Sequence, residues 1–519
     1  MQKLTSPNYK NEFVTKFPGD ESGSKQPRQT PGVLFSKVKP TPVEKVTLIG
    51  WSDKLAEELE IQKPATQEET DILGGNFVAE TMQPYAACYA GHQFGNWAGQ
   101  LGDGRAITLG EWQAPDGKTR EFQLKGAGPT PYSRRADGRA VLRSSVREYL
   151  MSEAMHYLGV PTTRALSLVT TNELILRDMF YNGNPQYEPG AVVMRVAPAF
   201  LRFGNFEMLA ARKENENLLN LTYWTIDRFY PHLQGPDRIL HWFREVVDRT
   251  AFLISEWLRV GFVHGVMNTD NMSVLGLTID YGPFSFLDHY DPDFTPNTTD
   301  LPGRRYAFGQ QAAIAYWNLG CLASAIAPLF PDTKELVAEL EKYGDIFLQK
   351  YYAMMATKLG LDAFKPEDAN LITSFEETLT ELKPDMTIFY QLLIGLPAEL
   401  ENEQAAAAYF EESLYQELNQ TERQKLFGLL QKYQARIREN GISEGDKTDR
   451  MQKANPRFIL RNYLLHQAIE KLEAGDQTLF LELQEALKEP YSHKADAFFK
   501  KRPDWADRKA GCSMLSCSS

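Results

Sequence analysis

The stretch that decides the fold has two parts, His264-Gly265-Val266-Met267-Asn268-Thr269-Asp270-Asn271 and Leu277-Thr278-Ile279-Asp280-Tyr281-Gly282. Asn271 and Asp280 bracket a short β-like run in which Gly276 marks the turn. An amide and a carboxylate in these positions supply hard oxygen ligands, and they can share a metal ion with nucleotide phosphates. Asp, Asn and Gly are also common turn residues. Turns alone do not explain the whole ordered set after a long helical pattern, so we interpret the stretch as a metal-binding loop.

The chain around this loop has two unlike halves. Strand-like runs occupy Ala106–Trp112, Thr119–Lys125, Leu166–Val169, Leu174–Leu176 and Ala191–Ala197, with one helical pattern at 146–158 among them. Helical patterns dominate from about residue 206 onward. This order, together with the likeness of Asp280-Tyr281-Gly282 to the Asp-Phe-Gly of kinases, predicts an α+β, protein-kinase-like bilobal fold. We expect a β-rich N-lobe with one key helix and a large, mainly helical C-lobe with a C-terminal helical extension.

The predicted domain boundaries follow these changes in pattern. They are an extended N-terminal arm (1–45), an N-lobe with the nucleotide-binding loop (46–205), a helical C-lobe with the catalytic and metal-binding loop (206–400), a C-terminal helical extension (401–505) and a flexible cysteine-containing tail (506–519).

Composition narrows the class of protein further. The 519 residues are 43% hydrophobic and 24% charged, which is typical of globular proteins with a real core. The net charge of −12 argues against non-specific nucleic-acid binding. We find no apolar stretch of membrane-spanning length and no secretory signal. Four cysteines in a chain of this length do not make a disulfide framework. We expect a cytoplasmic protein that binds neither nucleic acid nor membrane.

A second motif, Gly102-Asp103-Gly104-Arg105, enters the first strand-like run. Glycines let backbone N–H groups approach phosphates closely, and an arginine adds a charged fork. Two glycines around an aspartate also make an ordinary turn. The motif by itself leaves both interpretations open.

Lys125 and Glu148 form a third candidate pair. A lysine at the end of an N-lobe strand and a glutamate in the next helix make the ion pair that aligns ATP phosphates in kinases. The alternative for Glu148 is structural, because Ser145-Val146-Arg147-Glu148 has the pattern of a capping box at a helix start. Without further context the residues do not decide between the two.

Val266 departs from the kinase pattern. It stands where protein kinases carry the catalytic aspartate, two residues after the histidine and five before the asparagine. A valine cannot accept a proton, so the ordinary kinase base is missing. Asp270 is the nearby carboxylate that can replace it, and the chain is therefore pseudokinase-like with a surviving metal site.

Longer segments of the chain resemble one family throughout. They include Tyr89–Gly95, Leu101–Ala106, Gln123–Gly128, Ser133–Glu148, Met194–Phe203, His264–Asn271 and Cys512–Ser519. From roughly residue 45 to its end the chain resembles the selenoprotein O (SelO or YdiU) family of pseudokinase-like protein adenylyltransferases. The resemblance implies an enzyme that binds ATP flipped relative to kinases. It would transfer AMP to Ser, Thr or Tyr hydroxyls of proteins and release pyrophosphate.

The resemblance also implies roles for individual residues. Asp270 corresponds to the catalytic base, and Asn271 and Asp280 correspond to the ligands of Mg²⁺ or Mn²⁺. The nucleotide contacts it implies are Gly102, Gly104, Arg105, Lys125, Glu148, Asp137, Gly138, Arg195, Arg202 and Asp280. Four of these are cations that can offset the charge of a triphosphate, which is informative in an acidic protein.

The cysteines invite a redox interpretation. Cys517 stands third from the end, where animal members of the family carry selenocysteine, and in some members this residue is thought to pair with a cysteine of the activation segment. Asp280–Asp300 contains no cysteine, so the sequence does not decide whether Cys517 forms a regulatory disulfide. Cys512 is a tightly spaced alternative partner. We expect Cys88 and Cys321 to be core residues.

Three hypotheses remain at this point: a protein adenylyltransferase, which we favour, a protein kinase with Asp270 as base, and a catalytically silent ATP-binding scaffold. The same metal and cations would serve either transfer. We expect a monomer whose partners are protein substrates.

Overall fold

The structure is a computed structural model that describes residues 1–179, 182–509, 511–512 and 514–516. Cys517 lies outside the described residues. The strands are β1 (Tyr9–Lys10), β2 (Gly19–Asp20), β3 (Phe35–Lys37), β4 (Thr47–Trp51), β5 (Tyr85–Ala87), β6 (Ala90–Gln93), β7 (Asn96–Gln100), β8 (Ala106–Gln113), β9 (Thr119–Lys125), β10 (Ala140–Val141), β11 (Arg164–Arg177), β12 (Gln186–Ala197), β13 (Phe262–Val263) and β14 (Ser285–Phe286).

The helices before residue 200 are short, apart from α4, and those after it fill the C-lobe. They are α1 (Glu12–Lys16), α2 (Asp53–Glu58), α3 (Gln67–Gly74), α4 (Leu142–Tyr157), α5 (Phe203–Ala211), α6 (Asn215–Phe229), α7 (Arg238–Val260), α8 (Gln311–Ile326), α9 (Lys334–Glu341), α10 (Tyr343–Lys358), α11 (Asp368–Leu382), α12 (Met386–Ile394), α13 (Glu403–Phe410), α14 (Gln420–Arg438), α15 (Glu444–Ala454), α16 (Asn462–Glu473) and α17 (Thr478–Ala486).

The N-terminal half is built on one large sheet. Its strand order is β2-β3-β5-β8-β9-β12-β11-β4, with β1 also pairing with β8 and β10 with β12. The strand-like runs predicted at Ala106–Trp112 and Thr119–Lys125 are confirmed as β8 and β9, which pair antiparallel. In this register Lys125 lies opposite Ala106 on one side and Val193 on the other. The lysine therefore ends a central strand.

The prediction of two separate strands at Leu166–Val169 and Leu174–Leu176 was wrong. Both belong to β11, which pairs with β12 along its length. The polar residues between them form an irregularity, a register shift between Thr170 and Leu174, rather than a break. Beyond this point Leu174 and Leu176 are exposed, so the far end of the β11–β12 hairpin projects from the core.

The capping-box interpretation of Ser145–Glu148 was also wrong. Helix α4 begins at Leu142, directly after β10, and Glu148 lies inside it with a buried side chain. Val146 and Leu150 of the same helix are fully buried and belong to the main hydrophobic core. Packing of this apolar face against the sheet sets where the helix starts.

The loop quoted at the outset follows α7. Trp242, Val246, Ile254 and Trp257 of this helix are buried, and Gly261 ends it with a φ of +76°. The short pair β13–β14 then brackets residues 264–284. A 3₁₀ turn at Thr269–Asn271 lies inside this bracket. The ends of the loop are therefore held by the sheet pair and by the end of α7.

The C-terminal helices form two groups that pack in different places. Helices α10 to α15 surround a second hydrophobic cluster that includes Phe375, Phe389 and Tyr433. The later helices α16 and α17 return to the first half, where Phe480 stacks on Tyr149 of α4 at 5.8 Å. Helix α4 thus packs between the sheet and the C-terminal extension.

The residues predicted as an arm, 1–45, contribute β1, β2 and β3 to the large sheet. Among the described residues, one helix, Phe308–Leu329, has the length and composition to cross a membrane. Its Leu319 and Leu322 side chains are buried in the main core, as in a core helix of a folded domain. The fold is α+β and protein-kinase-like, with a β-rich N-lobe and a helical C-lobe. The domain boundaries stay predictions.

Candidate active site

A cleft of about 730 Å³ opens between the large sheet and the loop of residues 264–284. Every candidate site residue except Glu148 lines it, and Glu148 lies just behind its wall. The cationic side chains of the lining are Arg105, Lys125, Arg134, Arg135, Arg139, Arg177, Arg195 and Arg202, and the acidic ones are Asp103, Asp137, Asp270 and Asp280. Cations therefore outnumber carboxylates here, although the whole chain is acidic.

Asp280 is the centre of this charge cluster. Its backbone has a φ of +56°, a left-handed conformation that is uncommon for a residue with a side chain. Arg195 Nη1 lies 2.5 Å from Oδ1, Lys125 Nζ lies 3.6 Å from the same oxygen, and Arg202 bonds to Oδ2. Burial opposes ionisation, but the three cations outweigh it and hold the pKa of Asp280 well below its usual range.

The candidate ion pair of Lys125 and Glu148 is present. Arg195 joins it, with Nη1 lying 3.0 Å from Glu148 Oε1. Burial lowers the pKa of the Lys125 ammonium, and the charges of Glu148 and Asp280 partly offset this. Strand β9, helix α4 and strand β12 are thereby joined by one buried ionic network.

Arg202 connects this network to the catalytic loop. It precedes α5, and its Nη1 donates to the main-chain oxygen of Asp270 at 2.7 Å. Its guanidinium also lies 4.6 Å above the Tyr89 ring and 3.8 Å from Asp103. The arginine is fully buried, so its orientation is set by these contacts.

Asp270 and Asn271 occupy the 3₁₀ turn. Asp270 is buried; its Oδ1 has no hydrogen-bond partner among the residues that the structure describes, and its Oδ2 accepts one long bond from Gln93 at 3.4 Å. Burial raises the pKa of Asp270 to about 6 although Arg202 opposes the shift. Asn271 donates from Nδ2 to the carbonyl of Val266 at 2.9 Å, which fixes its amide. An unpartnered carboxylate oxygen beside a fixed amide suits a proton acceptor next to a metal ligand.

The glycines of the cleft have structural reasons to be glycine. Gly102 has a φ of +111°, and a Cβ there would lie 2.5 Å from the Tyr132 ring. Gly138 has a φ of +72°, and a Cβ there would lie 2.2 Å from the Gly128 carbonyl carbon. Gly104 is crowded by the Tyr132 carbonyl oxygen at 2.9 Å. These positions shape the loops that form the rim of the cleft.

Two charged candidate residues of these loops, Arg105 and Asp137, differ in whether their side chains already have partners within the protein. Arg105 makes no ion pair within the described part of the chain. Asp137 already accepts from Arg177 at 2.7 Å and from the Arg139 N–H at 2.9 Å. The structure thus leaves Arg105 open to an anion, whereas Asp137 orders the loop on which it lies.

Sequence reasoning missed several residues that position the site. Asp103 accepts from the Ala87 N–H at 3.1 Å and from Gln123 at 3.2 Å, and Gln123 in turn bonds to Arg195. Asn268 Oδ1 accepts from Tyr306 at 2.6 Å and from the Phe94 N–H at 3.0 Å. Both residues stand inside quoted motifs, but their contacts are too distant along the chain for spacing to reveal.

The site fits a polyanion with a hard divalent cation. Lys125, Arg195 and Arg202 converge on one carboxylate, and Arg105 lies near Lys125. Asn271 and Asp280 are the oxygen donors that the metal would need. Oδ1 of Asp270 adds a polar atom that no group in the described part of the chain satisfies. Fold and site together define a kinase-like cleft without the kinase aspartate.

Comparison with known proteins identifies the family. The profile described as "Protein adenylyltransferase SelO" matches residues 26–488. The chain is 60% identical to the protein nucleotidyltransferase YdiU of Cytophaga hutchinsonii over 519 residues, covering 100% of both chains. It is 48% identical to the protein of the same name from Nitrosospira multiformis, covering 99% of this chain and 97% of that one. The chain belongs to the SelO family.

Among solved structures, the chain matches ROP2 from Toxoplasma gondii, described as a virulence factor with a protein-kinase fold and no enzymatic activity. The two chains are 14% identical with a TM-score of 0.23, over 78% of this chain and 87% of the other. At that score the likeness carries no further conclusion.

Proposed function

We propose that this protein is an adenylyltransferase that transfers AMP from ATP to hydroxyl groups of other proteins and releases pyrophosphate. The observation that carries the proposal is the convergence of Lys125, Arg195 and Arg202 on Asp280, in a cleft that Asp270 also lines. The family description and the names of the relatives support the same reaction class.

The cations would hold the β- and γ-phosphates inward. The two arginines are buried and Lys125 is partly buried, and contacts with Glu148, Gln123 and Asp103 orient the three side chains before the nucleotide binds. Negative charge develops on pyrophosphate as it leaves, and fixed cations stabilise that charge more in the transition state than in the ground state. This orientation leaves the α-phosphorus toward the acceptor.

Asp270 is the proposed general base. It accepts the proton of the acceptor hydroxyl as the oxygen attacks the α-phosphorus and the bond to pyrophosphate breaks. A pKa of about 6 leaves the carboxylate ionised at neutral pH while keeping it a stronger base than an exposed aspartate. Val266 cannot take this role, since its side chain has no acceptor atom.

Asn271 and Asp280 are the proposed ligands of Mg²⁺ or Mn²⁺. The bound ion would supply charge neutralisation for the phosphate oxygens. Asp280 is suited to this because its carboxylate stays ionised, with its pKa held well below the usual range. Arg105, at the rim and without an ion pair among the described residues, would add a further phosphate contact.

The acceptors we propose are Ser, Thr or Tyr hydroxyls, because Asp270 is placed to remove a hydroxyl proton. We also propose that the protein acts as a monomer in the cytoplasm. The chain's net charge of −12 disfavours nucleic acid as a partner.

Intact-mass spectrometry tests the proposal. The full chain is incubated with ATP, Mg²⁺ or Mn²⁺ and a mixture of candidate acceptor proteins, and each acceptor is weighed. The proposal expects a mass increase of one AMP, and an increase of one phosphate would instead establish the kinase alternative. Asp270→Asn is the matched control, since it removes the base while keeping the shape of the side chain.

A further inference from the structure

A cluster of metal-ligating side chains lies behind the catalytic loop, outside the cleft. His92 at the end of β6, Glu207 in α5 and Cys321 in α8 bring their ligand atoms within 4.8 Å of one another. His92 Nδ1 lies 2.6 Å from Glu207 Oε1, so two of the three groups are already in contact. The three donors come from three different elements, and packing of α5 and α8 beneath β6 holds them together.

Glu207 supplies an independent sign of a missing ligand. Its side chain is 4% exposed, yet its Oε2 has no hydrogen-bond partner of normal geometry among the described residues. Burial raises the pKa of Glu207, and the nearby Thr269 hydroxyl and His92 oppose that shift. A buried carboxylate oxygen without a partner is costly, and a bound cation is a recognised way to satisfy it.

The surroundings allow an ion to enter. His92 and Cys321 are half-buried rather than sealed in the core. The expectation that Cys88 and Cys321 are core residues is met by Cys88, which is buried, and not by Cys321. The rings of Trp97 and Trp317 pack against His92 at 5.1 Å and 5.4 Å and fix its orientation.

The positive charge of Arg305 lies near Cys321 and opposes the binding of a metal cation. The Arg305 guanidinium lies over the Trp317 ring at 4.7 Å. Burial raises the pKa of the Cys321 thiol to about 12, Glu207 adds to the shift, and Arg305 opposes it. A coordinated thiol is nevertheless deprotonated by the ion itself, and the ion then carries the larger local charge.

We propose that His92, Glu207 and Cys321 form a binding site for a divalent transition metal of the zinc class, separate from the nucleotide metal. Imidazole, carboxylate and thiolate are the three side-chain ligands that Zn²⁺ accepts, and three protein ligands leave the fourth position to water. Binding replaces the hydrogen between His92 Nδ1 and Glu207 Oε1 and the thiol hydrogen of Cys321, so the ion enters with release of protons and without a redox step.

The site is connected to the catalytic loop through the backbone. The His92 N–H donates to the Thr269 hydroxyl at 2.7 Å, and Thr269 directly precedes Asp270. Gln93, the next residue after His92, contacts the Asp270 carboxylate. An ion on His92 would therefore stiffen the support of the proposed base while lying outside the cleft.

Cobalt titration of the metal-stripped full chain tests the proposal. Co²⁺ occupies zinc sites and gives a thiolate-to-cobalt charge-transfer band that oxygen ligands at the nucleotide site cannot produce. We expect this band at one equivalent in the unaltered protein and its loss in Cys321→Ser. Glu207→Gln removes an anionic ligand and should weaken Co²⁺ binding by more than ~100-fold, since even outer-shell partners of metal ligands are worth ~10–100-fold.

Two controls keep the result interpretable. Cys512→Ser removes a different thiol and should retain the band, and thermal melts of each variant without metal establish that it is folded. Zn²⁺ should raise the melting temperature of the unaltered protein and of Cys512→Ser but not of Cys321→Ser. The proposal is overturned by absence of the band in the unaltered protein, by its persistence in Cys321→Ser, or by unchanged Co²⁺ affinity in Glu207→Gln.

Discussion

Arg195 Nη1 lies 2.5 Å from Oδ1 of Asp280, and the same nitrogen lies 3.0 Å from Oε1 of Glu148. One arginine of the sheet thus bridges the key helix of the N-lobe and the proposed metal ligand of the C-lobe loop. Before nucleotide binds, the cations proposed to hold its phosphates are already paired with the carboxylate proposed to hold its metal. Nucleotide and metal would enter together. The phosphates would replace Asp280 beside the cations, and the metal would replace the cations beside Asp280.

Arg195→Gln should destabilise the protein strongly. Arg195 is fully buried, and removing it leaves Glu148 and Asp280 with one less cation in a low-dielectric interior. Breaking a buried pair typically costs about 3–5 kcal/mol, whereas an exposed pair contributes about 0–1 kcal/mol. Thermal melts should therefore show a much larger loss than in the control Arg238→Gln, whose pair with Asp227 is surface-exposed. Equal losses in the two variants would contradict the structural account.

Asp280→Asn should remove the metal dependence of ATP binding. The substitution keeps the shape of the side chain but deletes the anionic oxygen that a divalent cation needs. Calorimetry with and without Mg²⁺ should give the same affinity in the variant and different affinities in the unaltered protein. Asp291→Asn, in the same segment and paired with Lys383 near the surface, is the matched control and should retain the metal effect. A full metal effect in Asp280→Asn would exclude this carboxylate as a ligand.

Asp270→Asn should leave ATP affinity largely unchanged and lower the rate of transfer by roughly 10²–10⁴-fold, the usual contribution of a general base. Calorimetry and a transfer assay on the same preparation separate the two effects. Parallel loss of binding and transfer would instead make Asp270 a structural or metal-binding residue.

The pH dependence of the reaction should report the same group. The pKa of Asp270 is raised from 3.8 to about 6, chiefly by burial, so the base is protonated below that pH. The kcat/KM for transfer should rise with pH up to about 6 and then level off, because this ratio reports the ionisation of the free enzyme. A flat profile between pH 5 and 7 would be inconsistent with Asp270 as the base.

The contribution of Asp270 to the stability of the folded protein should fall as pH rises, whereas kcat/KM should rise. A raised pKa means that the folded state binds the proton more tightly, so this contribution to stability is present below pH 3.8 and is lost as pH rises to about 6. Asp270→Asn avoids that loss. Its melting temperature should match the unaltered protein near pH 4 and exceed it at pH 7, which differential scanning fluorimetry can follow. A gap that shrinks with pH would contradict the assigned burial.

Local sequence patterns predict much of the fold. The hairpin of β8 and β9, the long helix α7 with its buried stripe and the glycine that ends it follow from alternation, helical spacing and turn residues. The course of β11 could not be foreseen, because its polar middle interrupts the pairing with β12 without ending the strand. Likewise, the start of α4 depends on tertiary packing, which overrides the capping pattern at Ser145.

Some contacts of the candidate site could likewise be inferred from sequence motifs, and others could not. The loop position of Asp280 was predicted from its kinase-like motif, whereas the pairing of Lys125 with Glu148 was one of two interpretations that the sequence left open. The contacts of Asp103 with Gln123, and the return of α16 and α17 onto α4, join residues far apart in the chain. No spacing rule reaches across such distances, so only the folded structure reveals them.

The measurement that tests the central claim most directly is transfer of label from ATP carrying ³²P at either the α or the γ position. The full chain is incubated with each nucleotide, Mg²⁺ or Mn²⁺ and acceptor proteins, and protein-bound label is counted with Asp270→Asn as control. The account predicts protein-bound label from α-labelled ATP and none from γ-labelled ATP. Label from γ-labelled ATP alone would contradict it, because the protein would then be a kinase.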